Sequence, residues 1–317
     1  MIYLSDYLEN IHSVAIGGHV RPDGDCVGSC MAMYQYIRTN YPDHLVDLYL
    51  EEIQDALTYI EGTEQIKHEI VDKVYDLFIA LDTSSTERLG FSLPLMEKAR
   101  DTICIDHHIS NPGFGKANYI VADASSASEL VFDVMEEEKI TLPVAEAIYM
   151  GIAHDTGIFQ YSNCKPKTMN IAAKLLAIGV DAPNLISETY YRKSYAQQMM
   201  LAKGLLKAVL SDGGLFVSTV ITKADMAEYG ATSKDLDAIV SNLRMMKGVE
   251  VSIFLYEMEE GVYKVSMRSG DSYNVNTVAS FFGGGGHVKA SGATIEGSPE
   301  TIIEKLYEQL RLQNEKE

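Results

Sequence analysis

The segment Thr102-Ile103-Cys104-Ile105-Asp106-His107-His108-Ile109 couples an apolar run to a carboxylate and two imidazoles. Its first four residues predict a short buried strand, and the loop after it carries Asn111, Pro112 and Gly113. In open α/β sheets, ligands bind at the carboxyl ends of strands. Imidazole and carboxylate groups also bind Mn, Fe and Zn ions. The alternative is a surface turn that is polar by chance, because short motifs produce many false matches.

A second segment of this kind lies near the N-terminus. Residues 13–18 predict a buried strand that runs directly into His19-Val20-Arg21-Pro22-Asp23-Gly24-Asp25, and helical spacing follows from Cys26 to Thr39. Proline and glycine suit a tight turn here. The loop therefore offers one imidazole and two carboxylates just before a helix N-terminus, which also favours anions such as phosphate.

A third predicted strand indicates which kind of sheet the N-terminal region forms. Residues 75–81 are almost continuously apolar and end at Asp82, and another strand is predicted at 45–50. Strands that alternate with helices predict a doubly wound, mostly parallel α/β sheet. If the strands are parallel, one sheet edge collects the polar residues that follow them: His19, Asp23, Asp25, Asp82, Asp106, His107 and His108.

Helical patterns account for most of the remaining N-terminal half. They cover residues 4–11, 53–60, 125–139, 143–154, 166–179 and 182–190. The helix at 143–154 has Pro143 in its first turn and ends at His154, directly before Asp155. Asp155 is thus a further candidate carboxylate, although an ordinary turn residue at a helix end is the alternative.

The C-terminal third predicts a smaller α/β domain. Residues 194–211 form a long amphipathic stretch interpreted as a connector, and the composition changes at 211–214. Beyond it we expect strands at 215–222, 249–257, 261–268 and 292–296, with helices at 234–246, 275–281 and 299–313.

This second region has its own polar cluster. Arg268 ends a predicted strand, Asn276 lies at the start of a helix, and four glycines at 283–286 precede His287. Glycines let backbone N–H groups approach an anion closely, and an arginine can bind phosphate with two hydrogen bonds. The alternative for the glycines is a flexible hinge, but their polar neighbours favour an anion site.

Composition narrows the class of function. The chain has 317 residues, enough for two domains, and a formal net charge of −19. Such an acidic surface repels long polyanions, so general duplex binding is not expected, whereas short anionic substrates remain compatible if metal ions supply local positive charge.

The four cysteines form no Cys-x-x-Cys pair and indicate a reducing cytoplasm. We expect neither a signal peptide at residues 1–19 nor a membrane span, and hence a cytoplasmic protein.

These motifs, in this order, resemble those of the DHH phosphoesterases. The resemblance rests on the segments 19–25, 81–82, 106–108 and 154–155, while Arg268, Asn276 and the segment 283–287 resemble the DHH-associated C-terminal domain. It covers nearly the whole chain and is closest to the bacterial nanoRNase and pAp-phosphatase branch. It implies a catalytic domain at 1–190, a helical linker at 191–211 about which the domains close, and a substrate-binding domain at 212–317 across a cleft. Arg21 departs from the asparagine that many members carry, a change that we expect to be neutral for catalysis.

The resemblance also implies roles for individual residues. Two Mn²⁺ ions are expected, with Mg²⁺ or Co²⁺ as substitutes: one ion held by His19, Asp23 and Asp82, the other by Asp25, Asp82, His107 and Asp155. His108 would polarise or protonate the substrate phosphate, and Asp106 would orient an imidazole. The implied substrate-binding residues are Arg268, Asn276, Gly284, Gly285, Gly286 and His287.

The implied activity is hydrolysis of short RNA or DNA oligonucleotides to mononucleotides, together with hydrolysis of 3′-phosphoadenosine 5′-phosphate (pAp) to AMP. No long duplex and no membrane is expected as a partner, and the apolar segment 234–256 leaves a homodimer open. The alternatives are a cyclic-dinucleotide phosphodiesterase, an inorganic pyrophosphatase, a catalytically idle nucleotide sensor, and a single-strand-binding module. The last would need a basic groove, which the net charge disfavours.

Overall fold

The computed structural model describes residues 2–314 and separates into two compact units that divide between Arg192 and Lys193. The first unit is built on a five-stranded sheet in which every neighbouring pair is parallel. Its strands are β1 (Ser13–Gly17), β2 (Leu45–Tyr49), β3 (Leu77–Leu81), β4 (Asp101–Asp106) and β5 (Ala117–Ile120), in the order β2-β1-β3-β4-β5. The predicted parallel sheet is confirmed. Strand β5 was not predicted, because it is a short, half-exposed edge strand without an apolar run.

Helices cover both faces of this sheet. They are α1 (Leu4–Leu8), α2 (Gly24–Asn40), α3 (Leu93–Lys98), α4 (Ala127–Val134), α5 (Leu142–Asp155), α6 (Pro166–Ile178) and α7 (Ala182–Ile186). Alternate strand residues such as Ile16 and Ile79 join the large core that includes residues of α2, α4 and α5. Their neighbours Ala15 and Phe78 pack on the opposite face with α3. The sheet is therefore doubly wound, as predicted.

Several predicted helices are shorter than expected, among them those over 4–11 and 234–246. Helix α4 ends at Val134, and a separate 3₁₀ turn covers Glu137–Lys139, whereas a single helix was predicted over 125–139. The backbone N–H of Glu136 donates to the Tyr36 hydroxyl, so a tertiary hydrogen bond replaces continuation of the helix. The helix predicted at 53–60 is likewise only a 3₁₀ turn, Asp55–Tyr59.

Helices α2 and α5 make a close crossing, which we call the glycine crossing, at Gly28 and Gly151. A methyl group on Gly28 would lie 2.6 Å from the Ala147 carbonyl oxygen and 2.9 Å from the Gly151 Cα. One on Gly151 would lie 2.8 Å from an Asp25 carboxylate oxygen. Neither position has room for a side chain, so the glycines let α2 and α5 approach each other and leave space for Asp25.

The second unit contains a six-stranded mixed sheet. Its strands are β6 (Val209–Ser211), β7 (Phe216–Ile221), β8 (Val251–Glu259), β9 (Val262–Ser269), β10 (Gly285–His287) and β11 (Ala290–Glu296), in the order β10-β11-β9-β8-β7-β6. Among these described strands, β7 and β8 are parallel and the other neighbours are antiparallel. The helices are α8 (Tyr195–Leu206), α9 (Lys223–Glu228), α10 (Ala238–Arg244), α11 (Val275–Phe281) and α12 (Pro299–Asn314). Two clusters of buried apolar residues form the core of this unit.

The glycine-rich segment is partly a strand, where a loop was predicted. Gly285 pairs with Gly292, Gly286 with Ser291, and His287 with Ala290. A methyl group on Gly284 would lie 2.7 Å from the Ala293 Cβ, and Gly286 has φ +148°. Close strand packing therefore accounts for these two glycines without a ligand. The helical linker predicted over 191–211 is helical only in part, since α8 ends at Leu206 and residues 209–211 form β6.

Within residues 2–314, no single helix is long and apolar enough to cross a membrane. Residues 166–178 and 182–191 reach that length and composition only as a pair of helices, which is bent by 114°.

Candidate metal centre

The strand order of the parallel sheet has one switch point, where a ligand site is expected. The strand sequence reverses between β1 and β3, and in open α/β sheets ligands bind outside the carboxyl ends of the strands at such a point. His19 follows β1 by two residues, and Asp82 follows β3 directly. The topology thus brings the first predicted imidazole and the central predicted carboxylate together.

His19 is oriented by the backbone of the next residue. Its Nδ1 donates to the Val20 carbonyl oxygen at 2.9 Å, which leaves Nε2 facing two carboxylates. Nε2 lies 3.6 Å from an Asp23 oxygen and 3.4 Å from an Asp82 oxygen. Burial disfavours the charged imidazole, but Asp23 and Asp82 outweigh burial and raise the pKa of His19 to about 11. The pocket around this nitrogen therefore strongly favours positive charge.

The two carboxylates of the first motif are fixed by helix N-termini. Asp23 caps α2 and accepts from the backbone N–H groups of Asp25 and Cys26 at 3.1 Å each. Asp25 is fully buried and accepts from the backbone N–H groups of Ala127 and Ser128, at 2.6 and 2.9 Å, at the start of α4. Burial, reinforced by Asp82 and Asp155, raises the pKa of Asp25 well above its usual range. A cation beside Asp25 would offset that cost of burial.

Asp82 has a strained backbone and an unsatisfied oxygen. Its φ of +50° lies in the left-handed region, which non-glycine residues seldom adopt. The residue is 98% buried, yet its carboxylate Oδ1 has no hydrogen-bond partner among the described residues. Burial opposes ionisation, but His107 and His19 hold the pKa of Asp82 well below its usual range. An ionised, buried and unpaired oxygen is expected at a metal site, because a cation supplies the missing partner.

The His107 imidazole lies close to three carboxylates. Its Nε2 lies 3.5 Å from an Asp82 oxygen, 3.5 Å from an Asp155 oxygen and 3.9 Å from an Asp25 oxygen. Burial opposes its charge, but these neighbours raise the pKa of His107 to about 10. The distances exceed those of direct hydrogen bonds, so an ion fits the charge and the spacing better than a proton alone.

The Asp155 carboxylate is positioned by the end of α5. Burial raises the pKa of Asp155 to about 6, against the opposing effect of His107. The helix is followed by a turn in which Gly157, Ile158 and Phe159 all have φ between +56° and +62°. A β-branched residue such as Ile158 is a genuine outlier there, and strained backbone of this kind is concentrated at functional sites.

His108 is held differently from His107. Its Nδ1 donates to Asp106 Oδ1 at 2.7 Å, and it lies 3.8 Å from an Asp82 oxygen. Asp106 is fully buried and also accepts from the His107 backbone N–H and from Asn111 Nδ2. Burial opposes ionisation of Asp106, but the bonds from His108 and Asn111 lower its pKa. The Asp106 carboxylate therefore orients His108.

The distances between donor atoms show which predicted ligands could hold a metal ion together. Three groups of donor atoms lie within 4.8 Å of one another: His19, Cys26 and Asp82; Asp82, His107 and His108; and Asp25, His107 and Asp155. Asp23 lies beside the first group through His19. The structure thus brings all six predicted metal ligands together, and imidazole with carboxylate suits divalent cations such as Mn²⁺ and Zn²⁺. Which residue binds which ion stays a prediction.

Sequence reasoning missed two residues of this centre. Cys26 was considered only as one of four cysteines that form no Cys-x-x-Cys pair, but its sulfur lies within reach of His19 and Asp82. The signal was its place directly after Asp25. Asn111 was noted only as part of a loop, although its amide contacts Asp106. No pattern in a single sequence distinguishes such a contact from ordinary turn chemistry.

The predicted substrate-binding residues gather around β10 of the second unit. Arg268 pairs with Ala290 across β9 and β11, and Ala290 pairs with His287 across β11 and β10, so one row of the sheet carries all three. Residues in one row project from the same face. Asn276 Oδ1 is 4.0 Å from the position that a Cβ on Gly285 would take. Burial lowers the pKa of Arg268, with Asp237 as its acidic neighbour. Their binding role stays a prediction.

Two family models match this chain. One described as DHH family, N-terminal domain, matches residues 13–152, and one described as DHHA1 domain matches residues 212–313. The bifunctional oligoribonuclease and PAP phosphatase NrnA of Thermus thermophilus is 30% identical over 307 residues, covering 94% of this chain and 90% of that protein. The protein of the same name from Bacillus subtilis is 27% identical and covers 89% of each chain.

A solved structure is similar over nearly the whole chain. An exopolyphosphatase-related protein from Bacteroides fragilis matches with a TM-score of 0.85 and 25% sequence identity, covering 96% of this chain and 93% of the other. The likeness therefore extends over both units.

Proposed function

The chain belongs to the DHH family, and on that basis we propose that it is a metal-dependent phosphoesterase that hydrolyses short oligonucleotides to mononucleotides and pAp to AMP. Its relatives from Thermus thermophilus and Bacillus subtilis, both named for oligoribonuclease and PAP phosphatase activities, support this choice of substrates. Mn²⁺ is the proposed ion, with Mg²⁺ or Co²⁺ as substitutes.

One observation carries the proposal. Asp82 Oδ1 is buried without a hydrogen-bond partner and lies 3.5 Å from His107 Nε2, while the other oxygen lies 3.4 Å from His19 Nε2. A carboxylate between two separate imidazoles suits a residue that bridges two ions. When bound, two divalent cations would activate water and neutralise charge on a substrate phosphate.

The residues of the chain divide the remaining tasks. The carboxylates of Asp23, Asp25 and Asp155 supply negative charge that holds cations in a protein with a net charge of −19. His108, about one-third exposed and fixed by Asp106, would bind or protonate the substrate phosphate. In the second unit, Arg268, Asn276, His287 and the glycines at 284–286 would bind the rest of the substrate.

The test is a hydrolysis assay with Mn²⁺ on a panel of substrates. It contains pApA, an RNA of about five nucleotides, a long RNA, pAp, cyclic di-AMP and pyrophosphate, since an acidic surface should disfavour long polyanions. We expect fast release of AMP from pApA, turnover of pAp and slow turnover of long RNA. An Arg268→Ala variant should chiefly raise KM, and an unchanged KM would contradict its binding role.

Other outcomes of the panel would replace the proposal. Turnover of cyclic di-AMP alone would indicate a cyclic-dinucleotide phosphodiesterase, and turnover of pyrophosphate alone an inorganic pyrophosphatase. A protein that binds two metal ions and hydrolyses none of the substrates would be a nucleotide sensor.

A further inference from the structure

We propose that Asn111 is a positioning residue that holds Asp106, and through it the His108 imidazole, in the orientation needed for hydrolysis. This inference rests on the proposed function and adds a residue to its machinery. Asn111 is 92% buried and lies in the loop after β4, three residues beyond His108.

The orientation of the Asn111 amide is determined by its neighbours. Its Oδ1 accepts from the Gly113 backbone N–H at 2.8 Å, so its nitrogen faces the opposite way. Nδ2 donates to Asp106 Oδ2 at 2.7 Å and to the Thr83 carbonyl oxygen at 2.9 Å. A flipped amide would place an oxygen against two acceptors, so this assignment is the one that satisfies every group.

These two hydrogen bonds join two loops of the centre. The Thr83 carbonyl belongs to the residue after Asp82, in the loop that follows β3, whereas Asp106 ends β4 and precedes His107 and His108. One buried amide therefore links the loop that carries the shared carboxylate to the end of β4 that carries both histidines, beside the hydrogen bond from the Asp82 backbone N–H to the Ile105 carbonyl oxygen.

The effect reaches His108 through Asp106. With Oδ2 held by Asn111, and Oδ1 accepting from the His107 backbone N–H and from His108 Nδ1, the carboxylate has a fixed plane. That plane sets the tilt of the His108 ring and keeps the proton on Nδ1. Without Asn111, the buried Oδ2 loses its donor, and the carboxylate is free to rotate away from His108.

A double-mutant cycle tests this route. We expect Asn111→Ala to lower kcat about 10–100-fold, the usual cost of losing an outer partner, with little change in KM or in bound metal. In a His108→Ala background the same substitution should lower kcat no further, because both changes interrupt one path. The proposal would be overturned if the double variant lost kcat by the product of the two single losses. It would also be overturned if Asn111→Ala lost bound metal to the same extent as it lost kcat.

Two further variants test whether the effect depends on the donor group of Asn111 and on its place in the loop. Asn111→Asp keeps the acceptor for Gly113 but sets a carboxylate oxygen against Asp106, so it should lower kcat at least as much as alanine does. Asn118→Ala is the matched control, because Asn118 closes a neighbouring exposed turn through Gly115 and touches neither Asp106 nor His108 by hydrogen bonding. It should leave kcat and the melting temperature unchanged.

A spectroscopic measurement does not depend on the substrate. Proton–nitrogen NMR spectra of the imidazoles, assigned for His108 by its absence in His108→Ala, should show one slowly exchanging Nδ1–H signal in the wild type, because Asp106 accepts that proton in a buried hydrogen bond. Asn111→Ala should weaken or broaden this signal, and an unchanged signal would contradict the inference. Failure of the substrate panel together with this loss of the Nδ1–H signal would reject the proposed function and keep the positioning role.

Discussion

Asp82 combines a left-handed backbone with a buried, unpaired carboxylate oxygen. Each of these features costs free energy, and strained residues persist only where the surrounding structure holds them. Asp82 is also the residue that both His19 and His107 approach. The centre thus depends on one residue whose remaining cost a bound cation would offset.

Asp82→Asn should therefore abolish tight metal binding and lower turnover by more than the roughly 10–100-fold that loss of an outer partner costs. The substitution keeps the shape of the side chain but removes its charge. Metal content after dialysis and the rate on pApA measure the two effects together. Asp72→Asn, a control at a 95% exposed carboxylate, should change neither, and full metal content in Asp82→Asn would refute the bridging role.

Arg21 also has a left-handed backbone, with φ +54°, and its side chain is exposed. Asparagine tolerates this conformation better than arginine, because its short polar side chain can bond locally. Arg21→Asn should raise the free energy of unfolding by about 1 kcal/mol without changing turnover. Chemical denaturation measures the difference. Arg21→Ala loses the same charge but keeps the strain, so an equal gain in both variants would contradict this explanation.

Single residues of the metal centre could be predicted where the sequence places an ionisable side chain just after an apolar strand. His19, Asp82 and His107 met that condition. Asn111 and Cys26 did not, because their contacts arise from loops and turns that meet only in the folded chain. The left-handed φ of Asp82 likewise has no signal in the sequence, since a local pattern predicts no strain that tertiary contacts impose.

At the level of elements, the glycine crossing between α2 and α5 positions two parts of the site. Helix α2 begins with Asp23 and Asp25, and helix α5 ends with Asp155. The backbones touch at Gly28 and Gly151, so the separation of these carboxylates depends on the absence of two side chains.

Gly28→Ala should destabilise the first unit by about 1–3 kcal/mol, because the added methyl group meets backbone atoms that cannot rotate away. Because a glycine-to-alanine change ordinarily stabilises a helix, a loss of stability would indicate that the added methyl group meets a close neighbour. Calorimetry measures the change in the free energy of unfolding. Ser29→Ala, at the next residue, removes a hydroxyl that bonds only within α2 and should be nearly neutral. A stabilised Gly28→Ala protein would disprove the close crossing.

Elements with a strong periodic pattern were predicted well, and short ones were not. The apolar run of β3 and the amphipathic pattern of α11 identified both elements within two residues at each end. Strands β5, β6 and β10 are only three or four residues long and are partly or wholly exposed. Their pairing depends on neighbouring strands, which local sequence does not report.

For the whole molecule, the described donor atoms of the metal centre all lie in the first unit, while the second unit has its own buried core. Ligands that bind only the folded state stabilise the part that binds them. Metal binding should therefore act on one unit alone.

Removal of metal by a chelator should lower one of two calorimetric transitions. At a free metal concentration of 100 times Kd, the expected stabilisation is about 2.7 kcal/mol for one site, so the first unit should melt well below its loaded temperature. The transition of the second unit should not move. The Asp82→Asn protein serves as the control that does not respond. A single transition, or an equal shift of two transitions, would contradict the expectation that metal stabilises the first unit alone.

The hydrogen bonds between Asp25 and helix α4 give the molecule an internal reporter. The amides of Ala127 and Ser128 open a helix and have no intrahelical acceptor, so Asp25 protects them from exchange with solvent. Loading of the centre should slow deuterium uptake at these two amides, although neither residue is a proposed ligand. Mass spectrometry of deuterated peptides from 120–130 can thus follow occupancy of the centre in real time, in unlabelled protein and without any substrate.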